Sequence, residues 1–260
     1  MADTLIFLKQ FIQRILKLFA KIYLSRVNPR VIVVAGTTNR HWIKEKIAEA
    51  LKEKNFKFRA NKKNFNAEIG LPISVLGLEP AENTNPFKRW LKALGDARRS
   101  AFVGEKIDFL VLEMAIDKPD DMKYLLGIIN PHIAILTSIT MIYPENFDNL
   151  DEIAVEYKRL IKALPPSGMA ILNADDPRIR QLKNSAKCKA VTYGVENKNA
   201  DYLAENVQKI TVGQEFKIHL PDMGVKNIIV ERFGSHHIYA ELVKETIINH
   251  LETEFLSTAK

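Results

Sequence analysis

A short polar loop, residues 36–41, is the strongest candidate for chemistry in this sequence. It follows an apolar run and precedes an amphipathic segment, and it reads Gly36-Thr37-Thr38-Asn39-Arg40-His41. A strand, a glycine turn and a helix form the layout of a phosphate-binding loop, because backbone N–H groups at a helix start surround an anion. Such loops also use a second glycine, a lysine and a Ser/Thr hydroxyl, which Asn39, Arg40 and His41 do not supply. Taken alone, the loop is interpreted as a strand-to-helix turn capped by Thr37 or Thr38.

Two other groups of residues invite a chemical interpretation. His236 and His237 are adjacent, but no partner stands at metal-ligand spacing, so we interpret them as polar residues at a helix start. Cys188 is the single cysteine, so the chain has no internal disulfide and a reducing cytoplasmic location is expected. No Cys-x-x-Cys or Cys/His cluster surrounds it, which favours a small buried side chain over a reactive thiol.

The elements that must position these side chains alternate along the chain. Short apolar runs predict buried strands at residues 31–35, 109–113, 133–138, 169–173 and 190–193. Amphipathic segments predict helices at residues 41–54, 86–102, 120–128, 150–164 and 177–184. Strands buried on both faces and joined by helices form parallel sheets, so we predict an α/β fold with a doubly wound, mostly parallel sheet.

The segment after residue 201 has a different pattern. Three β-rich pieces, residues 202–210, 215–220 and 227–231, are separated by glycine-containing turns. They predict a small antiparallel meander packed on the edge of the sheet, followed by a final helix from His236. No internal repeat and no Gly/Ser linker marks a domain boundary, apart from the break at Asn28-Pro29.

The positive charge is concentrated at the N-terminus. The chain has 260 residues and a formal net charge of +7, of which residues 1–30 carry +5. The remainder is close to neutral, so we expect no nucleic-acid-binding face and no nucleic-acid partner. We therefore divide the chain into a basic amphipathic helix, residues 1–28, and one α/β domain, residues 29–260.

Residues 4–24 have apolar side chains at helical spacing with cations on the opposite side. Charges interrupt the segment too often for a membrane span, and a signal-peptide cleavage site is missing. Two interpretations remain open: a helix lying on an anionic membrane surface, or a helix docked on this protein's core or on a partner. The uncharged stretch at residues 124–144 contains Asn130, Pro131 and His132, so it predicts a helix end, a turn and a buried strand rather than a span.

Five sequence motifs occur in order between about Val31 and His250. They are Asn64-Phe-Asn-Ala-Glu-Ile-Gly-Leu-Pro72, Val111-Leu-Glu-Met-Ala115, Pro131-His-Ile-Ala-Ile-Leu-Thr137, Glu152-Ile-Ala-Val-Glu-Tyr-Lys158 and Ile171-Leu-Asn-Ala-Asp-Asp176. Together they resemble the Mur ligase family, and within it the ligases that add D-alanyl-D-alanine, and several motifs in the right order are more specific than any one of them. The resemblance implies that the matching region is the family's central, ATP-using domain.

The resemblance implies an ATP-dependent amide ligase of peptidoglycan assembly, in which an acyl phosphate forms and an amine displaces phosphate. Glu113 matches the glutamate that holds Mg²⁺, a hard cation suited to a carboxylate. Lys158 matches a lysine that many members carbamoylate to make a further metal ligand, although an exposed helix lysine explains it as well. The Asn-Ala-Asp-Asp motif matches too, and a local turn with a helix N-cap explains it almost equally well. The resemblance also implies a substrate loop containing Asn64, Asn66 and Glu68.

The departures from the family pattern lie at the nucleotide site. The family's Gly-Lys-Thr-Thr/Ser is Asn39-Arg40-His41-Trp42 here, so the glycine, the lysine and the metal-binding hydroxyl are all replaced. Tyr143 stands where the family usually has histidine. His237 stands where the family has the asparagine that approaches the nucleotide base.

The resemblance also implies two flanking domains, one that holds the UDP end of the substrate and one that closes over ATP, and neither is expected in this chain. We therefore favour a Mur ligase-like protein without efficient ATP hydrolysis, acting in cell-wall precursor metabolism as a binding or scaffolding partner in the cytoplasm or at the inner face of the membrane. The second hypothesis is a divergent active ligase or ATPase that uses ATP and Mg²⁺ and is completed by a Mur-type or other partner chain. A third is a domain that binds a UDP-linked muramyl peptide without any nucleotide cofactor.

Overall fold

Within the described residues of the computed structural model, nine strands pair into one sheet. The described residues are 2–61, 67–78, 86–221 and 224–258. The strands are β1 (Arg30–Ala35), β2 (Phe58–Ala60), β3 (Phe109–Met114), β4 (Ile133–Leu136), β5 (Met169–Asn173), β6 (Lys189–Gly194), β7 (Tyr202–Ile210), β8 (Gly213–Leu220) and β9 (Gly224–Val230). Their order across the sheet is β2-β3-β1-β4-β5-β6-β7-β8-β9, parallel as far as β7 and antiparallel from β7 to β9.

Helices cover both faces of this sheet. They are α1 (Ala2–Val27), α2 (Arg40–Glu53), α3 (Ala67–Leu76), α4 (Pro86–Val103), α5 (Asp121–Leu126), α6 (Leu150–Ala163), α7 (Pro177–Gln181) and α8 (Ser235–Thr258). One core lies between the sheet and α1 and α3–α7, and the other lies between the sheet and α2 and α8. The predicted doubly wound, mostly parallel α/β sheet is therefore confirmed.

Two details differ from the expectations. The strand β2 and the helix α3 were not predicted, because β2 has only three residues and α3 contains Pro72, which removes a helical hydrogen bond. The helix expected at residues 177–184 ends at Gln181 and continues as a 3₁₀ turn, Leu182–Ser185. The predicted antiparallel meander at the edge of the sheet is confirmed, and it forms the last strands of the same sheet because β7 pairs with β6 directly.

The basic N-terminal helix α1 docks on the protein's own core. Ile12, Leu16, Ala20 and Tyr23 recur at helical spacing and are buried against α3 and α4. Arg26 donates hydrogen bonds to backbone carbonyls at the C-terminal end of α4. Docking on the core is thus confirmed for the buried face of α1. None of the helices in the described ranges is long and apolar enough to cross a bilayer.

The order in which strands are added to the sheet changes sides at β1, which makes this position a topological switch point. From β1 the chain first adds β2 and β3 on one side and then β4 to β6 on the other. In open α/β sheets, ligands bind at such a switch point, outside the carboxyl ends of the strands. Loop 36–41 leaves the sheet at this point.

Candidate functional site

Gly36 adopts a conformation that suits only glycine. Its φ is 130°, and a Cβ atom at this position would clash with Oγ1 of Thr137, the residue that follows β4. The Thr137 hydroxyl donates a hydrogen bond of 2.6 Å to the carbonyl of Thr38. The loop after β1 therefore lies directly against the loop after β4.

The hydroxyls of Thr37 and Thr38 are bonded to this neighbouring loop. Thr37 donates through its backbone N–H and its hydroxyl to the Ser138 carbonyl, at 2.9 and 3.1 Å. Its oxygen also accepts the backbone N–H of Thr140 at 3.0 Å. Thr38 Oγ1 lies 2.6 Å from Ser138 Oγ. The prediction that one of these threonines caps the following helix was therefore wrong. The N-cap of α2 is Asn39, in a left-handed conformation and without a side-chain cap.

Arg40 folds back onto its own loop. Its guanidinium donates to the carbonyl oxygen of Gly36, four residues earlier. The same charge acts on Tyr143 and Tyr157, so both phenols lie near it. The carboxylate of Asp117 raises the pKa of Tyr143, and burial raises the pKa of Tyr157. Arg40 thus closes the loop with an internal cation among polar aromatic side chains.

Glu113, the predicted magnesium ligand, has a protein cation beside it. Lys44 Nζ lies 2.6 Å from Glu113 Oε1, and their side chains are only 7% and 2% exposed. Lys44 also donates to the Asn61 carbonyl at 2.6 Å, and the Glu113 N–H donates to Asn61 Oδ1 at 3.1 Å. Neither carboxylate oxygen of Glu113 accepts a regular hydrogen bond from the described residues. A small cavity adjoins this group, lined in part by Ser74 and Leu125.

These residues do not fit a magnesium–nucleotide group in the arrangement described. The Arg40 guanidinium donates to the carbonyl of Gly36, and the Lys44 ammonium is paired with the Glu113 carboxylate. His41 Nδ1 is 3.8 Å from Glu113 Oε1, but its Nε2 faces Glu45 at 3.1 Å. The described residues contain no group of three or more His, Cys, Asp or Glu side chains that could hold a metal ion.

Lys158 is exposed on α6, whereas its neighbour Tyr157 is buried. Successive residues of a helix point about 100° apart, so only one of the two can face the loop. Tyr157 takes that direction, close to Gly36. Within the described part of the chain, no contact joins Lys158 to Glu113. The metal-ligand role of Lys158 stays a prediction.

The Asn-Ala-Asp-Asp motif builds the loops around the site. Asn173 donates to the Thr137 carbonyl at 2.6 Å. Asp176 caps α7 by accepting the N–H groups of Arg178 and Ile179, and it also accepts the N–H of Ile139. Asp175 accepts three backbone N–H groups of residues 195–197 and the hydroxyl of Tyr239. The motif therefore has the structural role that its sequence also predicts.

His237 belongs to an aromatic cluster at the start of α8. Its ring lies 4.7 Å from that of Trp42 and 4.1 Å from that of His236, and Arg232 stacks over Trp42 at 5.3 Å. Burial lowers the pKa of His237, and His236 and Arg232 lower it further. The helix-start position expected for His236 and His237 is confirmed.

The predicted substrate loop lies largely outside the described residues, since Asn64 and Asn66 fall in the gap at 62–66. Glu68 is in the first turn of α3, and its side chain is outside the description.

Sequence reasoning missed Lys44, Asn61 and Tyr157. The sequence did contain a signal for Lys44, because this lysine lies next to Ile43 and close to Ile47 on the buried face of α2. A lysine on such a face needs a charged partner.

Comparisons with known proteins identify the family and the fold of this chain. A family model of the Mur ligase middle domain matches residues 34–243. The UDP-N-acetylmuramoyl-tripeptide–D-alanyl-D-alanine ligase of Bacillus subtilis is 28% identical over 239 residues, which cover 91% of this chain and 43% of that protein. The protein of that name from Escherichia coli is 22% identical over 216 residues, covering 82% of this chain and 42% of that one. The chain thus spans less than half the length of these relatives.

Solved structures share the fold. MurF ligase from Thermotoga maritima in complex with ADP has a TM-score of 0.73 at 19% identity, over 93% of this chain and 49% of that one. MurF from Acinetobacter baumannii has a TM-score of 0.72 at 16% identity, over 92% and 46% of the two chains. At such identities the likeness shows the fold alone. The match of the family model over most of the sequence is what shows that this chain belongs to the Mur ligase family, through its middle domain.

Proposed function

We propose that this chain is a Mur ligase middle domain without efficient ATP hydrolysis, which acts in peptidoglycan precursor metabolism as a binding or scaffolding protein. The observation that carries the proposal is the contact of the Arg40 guanidinium with the Gly36 carbonyl. A phosphate loop needs backbone N–H groups and a cation aimed at the phosphate. In this chain the cation is aimed at the loop itself.

The replacement of lysine by arginine adds to this argument. An ammonium on a flexible stem offers a point charge, whereas a guanidinium is a planar fork of larger size. Asn39 and His41 flank it where a small residue and a metal-binding hydroxyl are needed. Restoring catalysis would therefore take more than one substitution.

Lys44 supports the same proposal at the metal position. A buried carboxylate keeps its charge only when it is paired, and Lys44 provides that pairing at 2.6 Å. A magnesium ion at Glu113 would face a second positive charge at the same carboxylate, which disfavours binding.

The ligand we propose follows from the names of the relatives. Those proteins are ligases of UDP-N-acetylmuramoyl-tripeptide and D-alanyl-D-alanine. We propose that this chain binds a UDP-linked muramyl peptide of that class, or a Mur-type protein that handles it. Ligand binding to the folded state raises the unfolding temperature, so such a peptide should stabilise the protein and ATP should not.

A second candidate function, a divergent active ATP-dependent ligase or ATPase completed by a partner chain, rests on Glu113. Its buried Oε2 accepts no hydrogen bond from the described residues and adjoins a small cavity, so a cation could be held there if Lys44 moved. This candidate requires both ATP and Mg²⁺.

Calorimetric titration with ATP and Mg²⁺, followed by a phosphate-release assay, separates the two. We expect no saturable binding below the millimolar range and no phosphate release. Micromolar nucleotide affinity that is lost in Glu113→Ala but kept in the control Glu231→Ala, an exposed carboxylate, would contradict the proposal. As a positive control, the triple change Asn39→Gly, Arg40→Lys and His41→Thr should increase nucleotide affinity over the wild type.

A further inference from the structure

The net positive charge of this protein is concentrated on two helices, α1 and α4. Each of α1 and α4 contains five Lys or Arg and one Asp, which is +4 per helix and +8 together, against +7 for the whole chain. The rest of the molecule therefore has a slight negative charge. The N-terminal helix, which alone drew attention in the sequence, carries only half of the excess.

The same two helices expose large apolar side chains. Five are more than half exposed: Phe11, Leu18, Leu91, Phe102 and Val103. Five cations are exposed with them: Arg14, Lys21, Lys92, Arg98 and Arg99. Within the ranges that the structure describes, none of these cations has a carboxylate within ion-pair distance.

These side chains form one surface. On α1, Phe11, Arg14, Leu18 and Lys21 recur at helical spacing on the side opposite the buried stripe. The α4 helix packs beside α1, and the ring of Phe102 meets Phe19 edge to face at 6.4 Å. We call the exposed sides of both helices the α1–α4 face.

We propose that the α1–α4 face binds the surface of an anionic lipid bilayer. Cations alternating with protruding apolar side chains match a charged headgroup layer above an acyl region. A surface that bound only an acidic protein or a polyphosphate would need the cations but would gain little from five exposed apolar side chains. The buried stripe of α1 remains on the core, so the intact domain would lie on the membrane through both helices. This proposal goes beyond the binding function proposed above and does not depend on it.

Co-sedimentation of the full chain with vesicles tests the proposal. Vesicles of two parts phosphatidylcholine and one part phosphatidylglycerol should bind the protein, binding should weaken as salt is raised, and pure phosphatidylcholine should bind much less. Arg98→Glu with Arg99→Glu leaves α1 intact and should weaken binding at least about tenfold, since each cation near an anionic surface contributes to affinity. Phe11→Ser with Leu18→Ser should also weaken it.

Matched controls lie on the meander. Lys209→Glu with Lys217→Glu changes the same charge at exposed positions of β7 and β8, and Val225→Ser with Ile229→Ser removes exposed apolar side chains of β9. Both controls should bind like the wild type, and circular dichroism should show that all variants are folded. Equal binding to neutral and anionic vesicles, no binding to either, or equal losses in the meander variants would overturn the proposal. Because no nucleotide or muramyl peptide is present, this result is independent of the proposed function.

Discussion

At the scale of single residues, the candidate site is built from side chains that bond to the protein itself. Thr37, Thr137 and Ser138 tie the loops after β1 and β4 together, and Arg40 bonds to the carbonyl of Gly36. Each of these groups could have faced a ligand. Because these bonds hold the two loops together, the conformation of loop 36–41 depends on the backbone geometry of Gly36.

Replacing Gly36 by alanine should destabilise the fold. Its φ of 130° is strained for any residue with a Cβ, and the new methyl group would meet Thr137 Oγ1. We expect a loss of about 2–4 kcal/mol in the free energy of unfolding, measured by urea denaturation. The control is Gly95→Ala in α4, where a Cβ has open space and the helix gains about 0.5–1 kcal/mol. Equal stability of the two variants would contradict the conformation of loop 36–41.

His132 should make stability depend on pH. Burial and the charge of Arg30 lower the pKa of His132 from its ordinary value of 6.5, and its Nδ1 accepts the Val31 N–H at 3.1 Å. At pH values below 6.5, His132 binds a proton more readily in the unfolded chain than in the folded one. The free energy of unfolding therefore decreases as the pH is lowered from 6.5 toward the folded-state pKa of His132. Urea midpoints at about pH 7.5 and about pH 5.5 measure the loss. His132→Asn, which keeps an acceptor without this titration, should reduce the loss, and an unchanged difference would refute the assignment.

At the scale of elements, α1 was the least determined by its sequence. The apolar stripe of α1 could pack equally well on a membrane, on a partner or on this protein's own core. In the folded protein, α1 packs on the core because there is a site for it beside α3 and α4. The helix α3 was missed because Pro72 and the polar residues before it argue against a helix. Both are cases in which contacts with distant elements outweigh local preference.

Arg26 should fasten α1 to α4. Its guanidinium donates to the carbonyls of Ala101 at 2.9 Å and Gly104 at 2.6 Å, acceptors that α4 leaves open at its C-terminal end. Arg26→Met keeps the apolar stem and removes the donors, and we expect it to cost about 1–2 kcal/mol. Arg14→Met, on the exposed side of α1, should change stability by less than about 0.5 kcal/mol. Thermal unfolding of both variants measures the difference. A loss of stability in Arg14→Met as large as that in Arg26→Met would count against the docking of α1 on α4.

At the scale of the whole molecule, two cores share one sheet. The layer of α1 and α3–α7 packs on one face and the layer of α2 and α8 on the other. Salt bridges from Lys46 to Glu241 and from Lys244 to Glu49 join α2 to α8, at 2.5 Å each. Because central strands such as β1 contribute to both cores, we expect the layers to unfold together.

Leu16→Ala tests this cooperativity. Leu16 is fully buried in α1, and its truncation should cost about 2–5 kcal/mol. In a Trp90→Phe background, Trp42 reports from the opposite face of the sheet. Its fluorescence transition and the far-UV circular dichroism transition should shift together, whereas Leu18→Ala at an exposed position should shift neither. Separate melting of α1, with the Trp42 transition unmoved, would show that the helix is an independent unit.

The sequence by itself determined the sheet, most of the helices and the family. Apolar runs and amphipathic periodicity are local signals, and they are especially clear for buried parallel strands. It also placed Glu113 and Gly36 at strand ends and Arg40 in the loop that follows β1, where a ligand site is expected in such a sheet. The roles of these side chains depend on partners distant along the chain, such as Lys44 against Glu113 and Thr137 against Gly36. Only the tertiary structure decided that Tyr157 faces the loop in place of Lys158, that α1 docks on the core, and that the charge of α1 continues onto α4. Packing brings these groups together, and no local pattern encodes which residue of a helix meets a loop on another strand.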